Sequence, residues 1–138
     1  VVDEMQRKSK NNVNVLNYLD RSKVSALLAN SIAGVVTFLR EPNHIESQPN
    51  KMFEYMSAGL PVIGSNFRLW REILEANQCG ICVDPNSPKE IAKAVDYLVA
   101  HPSEAKQMGI NGRLAVEKKY NWSIEEKKLL EFYCLLLK

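Results

Sequence analysis

The stretch "ESQPNKMFEYMSAGLPVIGS", residues 46–65, decides how this chain is read. It opens on a carboxylate, Glu46, crosses a Pro-Asn step at 49–50 and enters a short helical pattern, "NKMFEYMSA" (50–58). Gly59 stops that helix and Pro61 bars its continuation. "PVIGS" (61–65) comes next as an apolar run with no polar alternation, the pattern of a strand buried on both faces of a parallel sheet. Inside the helix a second carboxylate, Glu54, lies eight positions after the first.

Working outward, "VNVLNYL" (13–19), "GVVTFL" (34–39) and "GICVD" (80–84) share that apolar character and predict three more strands. Helical patterns separate them. Asp20 caps "RSKVSALLANS", in which Val24, Leu27, Leu28 and Ser31 fall at helical spacing. "FRLWREILEAN" predicts a helix before the strand at Gly80. "SPKE" (87–90) is a capping box with Pro88 at the first helical position. The helix it opens places Ile91, Ala94, Val95 and Leu98 on one face, and "HP" at 101–102 closes it. Ser103 opens a more polar helix toward Tyr120, weakened by Gly109 and Gly112. Ser123 and Glu126 form a second capping box that starts a closing helix, about 123–138. Strand alternating with helix predicts a right-handed α/β domain, a Rossmann-like parallel sheet with helices on both faces.

Composition narrows the function classes. The 138 residues fit one domain, with 46% hydrophobic and 25% charged residues, as in ordinary soluble proteins. The net charge of +2 arises from mixed signs, so no basic stripe points to nucleic acid. The longest apolar runs are far too short to span a bilayer. "VVDEMQRKSK" lacks a signal-peptide pattern, and three cysteines cannot all pair, so a cytoplasmic setting is expected. Cys79-Gly-Ile-Cys82 has redox spacing but leads into a strand rather than a helix, and no second pair or His completes a zinc set. The pair therefore reads as buried strand cysteines. Trp70 and Trp122 read as packing residues.

In a doubly wound sheet, ligands bind beyond the carboxyl ends of the strands. "REPNHIESQPN" (40–50) is such a loop. The helix after it offers free N–H groups at Asn50 and Lys51, suited to a phosphate, with the Lys51 charge beside them. Glu54, one turn inside, is suited to accept two hydroxyl hydrogen bonds from a vicinal diol such as a ribose. Glu46 would face the other side of the anion. Phosphate flanked by two diols describes a nucleotide sugar. The competing reading is two solvated carboxylates, one on a loop and one on an exposed helix face. His44, in the same loop, is either a donor contact or proton carrier, or an inert loop histidine.

The Glu46–x7–Glu54 spacing, "YMSAGLPVIGS", "WREI", "CGICVDP" and "SPKEIAKAVDYL" together resemble the C-terminal domain of retaining GT-B glycosyltransferases of family 4, the glycosyl transferases group 1. The resemblance covers about residues 13–135. It implies a donor domain over 1–138 in which Glu54 grips the ribose and Glu46, the catalytic candidate, approaches the donor sugar. It further implies that backbone amides between them hold the diphosphate. Carried over residue by residue, Asn50 and Lys51 lie by the phosphates; Ser47, Gln48 and His44, in the same loop, are further substrate-binding candidates. No metal and no cofactor is implied. The implied partners are a UDP- or GDP-type sugar donor and an N-terminal acceptor-binding domain. Peripheral membrane association of the full-length enzyme, for a glycan or lipid-linked acceptor, is also implied by the resemblance.

Three features depart from the family pattern. "SQPN" replaces the glycines that often come after the first Glu, and Pro49 has no N–H to donate. The two opening strands, with the Arg and Lys they carry for the diphosphate, are not matched. No stretch of these residues matches the family's N-terminal acceptor domain, which is expected to be missing here. The expectation is therefore the C-terminal half of a GT-B fold lacking its first strands, inactive as a transferase alone, with an exposed sheet edge open to a dimer. The alternatives are a sugar-nucleotide epimerase of the same fold and a non-catalytic receiver-like signalling domain. The latter would need an acidic pair after the first strand, which is lacking.

Overall fold

The computed structural model describes residues 12–137. The segment expected to lack the family's first strands (1–11) and the last residue of the closing helix, Lys138, lie outside them. Three strands, β1 (Gly34–Val36), β2 (Val62–Ser65) and β3 (Gly80–Val83), form a parallel sheet in the order β1-β2-β3. In that register Val35 pairs with Ile63 and Ile63 with Ile81. Seven helices surround the sheet among the described residues. They are α1 (Arg21–Ala29), α2 (Pro42–Ile45), α3 (Asn50–Ser57), α4 (Arg68–Leu74), α5 (Pro88–Ala100), α6 (Pro102–Lys118) and α7 (Trp122–Leu136).

Side-chain alternation along β2 divides the core. Val62 joins Met52, Met56, Phe67, Trp70 and Leu74, buried beneath α3 and α4. Ile63 turns the other way and joins Val83, Ala94 and Leu98 beneath α5. All four β2 residues are buried, so both faces of the sheet are covered, as the apolar run predicts.

Residues 13–19 correct the expectation of a first strand. They form no strand, and Val13, Val15, Leu16 and Tyr18 are exposed. An apolar stretch of this kind becomes a strand only when a neighbour supplies ladder partners, and β1 pairs only with β2 among the described residues. The run 34–39 is also shorter than expected, ending as a strand at Val36.

Helix ends obey local chemistry. The Asp20 side chain accepts from the Lys23 amide at 2.9 Å, as expected, and Ser87 accepts from that of Glu90. The Glu90 carboxylate, however, accepts from Asp84 N–H at 2.8 Å, so the box at 87–90 is not reciprocal. The expected box at Ser123–Glu126 is replaced by Asn121, whose side-chain oxygen accepts from Ile124 N–H. Its amide nitrogen also donates to the Val116 and Glu117 carbonyls, tying the end of α6 to the start of α7. Asn121 thus hydrogen-bonds to both helices.

Gly109 and Gly112 do more than weaken α6. A Cβ on Gly109 would stand 1.9 Å from the Gly59 carbonyl oxygen, so α6 crosses α3 where only a hydrogen fits. Gly59 itself sits at φ +75°, the left-handed cap of α3. On α5 Ala94 and Leu98 are buried, whereas Val95 is exposed. Trp70 is fully buried. Trp122 is 68% exposed, which corrects its reading as a packing residue. α7 buries no residue, and Leu129, Leu130, Phe132, Tyr133 and Leu136 all face solvent.

Candidate functional site

The loop from β1 to α3 is built by hydrogen bonds running inward. Ser65, the buried last residue of β2, donates its hydroxyl to the Phe38 carbonyl at 2.8 Å and accepts from the Phe38 amide at 2.7 Å. That side chain continues β1–β2 pairing two residues beyond the ladder. Pro42 then starts α2, a single turn inside the loop. The Nδ1 of His44 lies 3.0 Å from the Leu39 carbonyl oxygen, and its ring packs on Phe38 with centroids 4.9 Å apart. His44 therefore braces the loop through the nitrogen nearer its backbone. Ser47 donates its hydroxyl to the His44 carbonyl at 2.8 Å, and its own carbonyl accepts from Trp70 Nε1 at 2.7 Å. Glu46, at the C-terminal cap of α2, remains exposed between these anchors.

Helix α3 begins behind Pro49, which gives no side-chain cap. The first amide to bond within this turn is that of Met52, to the Pro49 carbonyl, so Asn50 and Lys51 keep uncapped N–H groups. Lys51 is exposed and makes no ion pair among the described residues. Glu54, also exposed, lines a cleft of about 630 Å³ between α1 and α3. Arg21, Val24, Ser25 and Leu28 form one wall; Asn50, Phe53, Glu54 and Ser57 form the other. Of the candidate residues, the structure thus brings Asn50 and Glu54 into one cleft. Glu46, His44, Ser47, Gln48 and Lys51 lie outside its lining.

Sequence reasoning missed two contributions. Arg21 stands across the cleft from Glu54, and its only signal was its place directly after the Asp20 cap. Arg40 and Arg71 converge on Asn66 just past the carboxyl end of β2. Arg40 donates to its carbonyl at 3.3 Å and Arg71 to its side-chain oxygen. Arg40 also stacks over the Phe67 ring, 5.5 Å from its centroid. Two guanidinium groups thus meet just past the carboxyl end of β2.

The cysteines are not a reactive pair. Burial pushes the Cys79 thiol up to about 11. Burial, and after it the Glu75 charge, pushes Cys82 up to about 12. Both stay protonated and unreactive at neutral pH. The Tyr55 phenol is also raised, first by burial and then by Glu54 beside it.

The glycosyl transferases group 1 family model matches residues 4–115. The chain belongs to this family. The group 1 chain is 30% identical over 96 residues to a sucrose synthase of Denitrovibrio acetiphilus, a match covering 67% of this chain and 12% of that protein. It is 34% identical over 79 residues to a GDP-mannose-dependent alpha-(1-6)-phosphatidylinositol monomannoside mannosyltransferase of Mycobacterium tuberculosis, covering 57% of this chain and 20% of that one. Among solved structures, a sucrose-phosphate synthase from Thermosynechococcus elongatus superposes with a TM-score of 0.83 at 22% identity, over 99% of this chain and 33% of that one. The group 1 chain therefore has the fold of part of a GT-B protein and spans between an eighth and a quarter of the curated relatives it matches. Family membership sets aside the receiver-like alternative. Among the described residues, no helix is long and apolar enough to cross a membrane.

Proposed function

We propose that this chain is the donor-binding part of a retaining glycosyltransferase, which moves a hexosyl group from a UDP- or GDP-type sugar to a glycan or lipid-linked acceptor. The observation that carries the reading is the α1–α3 cleft, which holds Glu54 beside the uncapped start of α3. A carboxylate suits the ribose diol, and the helix start suits the diphosphate. Glu46, on the braced loop outside the cleft, would meet the transferred sugar. Stabilising charge on the departing diphosphate is the dominant catalytic term in such a site, and the N–H groups here are fixed before donor arrives. GT-B transfer occurs in a crevice between two domains, so the isolated chain binds donor without transferring sugar. Calorimetric titration with UDP, GDP, UDP-glucose and GDP-mannose tests the reading. Micromolar binding with a clear base preference supports it; no binding by any of the four overturns it.

A further inference from the structure

Trp70 is fully buried, yet its indole N–H does not end in the core. It reaches 2.7 Å to the Ser47 carbonyl oxygen, 23 residues earlier in the β1–α3 loop. The ring is held on two sides, by Phe67 at 5.1 Å and Phe38 at 5.6 Å between centroids. Its N–H direction is therefore set by packing before any ligand binds.

That bond orients a peptide plane. No peptide bond among the described residues is cis. In a trans peptide the C=O of one residue and the N–H of the next point in opposite directions. With the Ser47 carbonyl drawn inward to the indole, the Gln48 N–H is aimed outward, on an exposed residue. It has no acceptor among the described residues. The neighbouring amides cannot share its task. Ser47 N–H is turned back to the His44 carbonyl at 3.1 Å, and Pro49 has none. Between Glu46 and the start of α3, the loop offers one free backbone donor.

We infer that Trp70 is a positioning residue, holding the Ser47–Gln48 peptide so that the Gln48 N–H meets the donor's diphosphate. This rests on the donor-binding reading above and explains how a loop with Pro49 in place of glycines still presents an amide to an anion. Trp70 never touches the ligand. Its buried indole substitutes for the conformational freedom that a glycine would have given.

The test compares UDP and GDP with uridine and guanosine on the full chain. Trp70→Phe keeps an aromatic ring and removes only the N–H. It is expected to lower affinity for the preferred nucleoside diphosphate about tenfold, the loss of one hydrogen bond to a charged group. Affinity for the parent nucleoside, which lacks the phosphates, stays unchanged. General loosening of the fold would weaken both ligands together, and that result overturns the inference. Gln48→Pro removes the donor itself at an exposed position, so it decides the matter even where Trp70→Phe fails to fold. Undiminished diphosphate affinity in Gln48→Pro overturns the proposal, as does an additive loss in the double variant. If the natural chain binds neither diphosphate, the donor reading falls and this inference with it.

Discussion

The Ser65 hydroxyl brackets Phe38, accepting from its amide at 2.7 Å and donating to its carbonyl at 2.8 Å. One buried side chain thus stands in for a ladder partner at the point where β1 stops and the site loop starts. Ser65→Ala leaves both Phe38 groups unpaired in a part-buried setting. The variant is expected to lose about 1–3 kcal/mol, measured by denaturant unfolding. A loss below about 0.5 kcal/mol, the level of an ordinary surface change, would show that water replaces the hydroxyl without cost.

Glu54→Ala is expected to weaken nucleoside diphosphate binding by about 1.5–3 kcal/mol, the range for hydrogen bonds to a charged group. The 2′,3′-dideoxy analogue lacks the diol and should lose little more on this substitution. Equal losses with both ligands in calorimetry would remove Glu54 from the ribose.

The two glutamates should fail differently. Glu54→Gln weakens nucleoside diphosphate and nucleotide sugar alike, since both carry ribose. Glu46→Gln spares the diphosphate and narrows the affinity difference between it and the nucleotide sugar. In an enzyme carrying both GT-B domains, Glu46→Gln should chiefly lower turnover. A Glu46→Gln variant that loses diphosphate affinity as Glu54→Gln does would contradict this division of roles.

Gly109→Ala places a methyl group 1.9 Å from the Gly59 carbonyl oxygen, a backbone atom that cannot swing aside. The α3–α6 crossing must open, with an expected loss of about 1–3 kcal/mol or more. Gly112→Ala is the control. Its Cβ would meet side-chain atoms of Cys79 and Met56 at 3.3–3.4 Å, and helix propensity favours alanine by about 1 kcal/mol. Thermal melts should rank Gly109→Ala well below Gly112→Ala, and the reverse order would contradict the packing of α6 on α3.

The raised cysteine values give a signed pH effect. Unfolded thiols ionise near the ordinary 9.0, whereas Cys79 holds its proton to about 11 and Cys82 to about 12. The native state therefore binds more protons above pH 9, and stability falls as pH rises through that window. The decline should be shallower in Cys82→Ala than in the natural chain, as read by denaturant midpoints from pH 8 to 11. In native alkylation at pH 8, exposed Cys134 should react and Cys79 and Cys82 should not.

Much of this architecture was legible because its signals are local. Gly59 and Pro61 bound a helix and a strand, Asp20 and Ser87 each cap the helix after them, and the stretch 61–65, without polar alternation, predicted burial on both faces. The spacing of Glu46 and Glu54 pointed to the family only together with "AGLPVI", "WREI", "CGICVDP" and "SPKEIAKAVDYL". Local signals misled where an element's state depended on a distant partner. The apolar stretch 13–19 found no ladder, and Asn121 took the capping place expected of Ser123, its side chain hydrogen-bonding to both α6 and α7.

The sequence by itself determined which residues carry charge, which break helices and which apolar runs must be covered, since these depend on side-chain chemistry and the spacing of a few positions. Only the tertiary structure decided that Trp70 reaches Ser47, that Ser65 completes β1, and that Gly109 admits the Gly59 carbonyl. Each of these joins residues at least 23 positions apart through a direction or a distance of an ångström or two. Such contacts come from the packing of whole elements, whose relative placement no short stretch of sequence encodes.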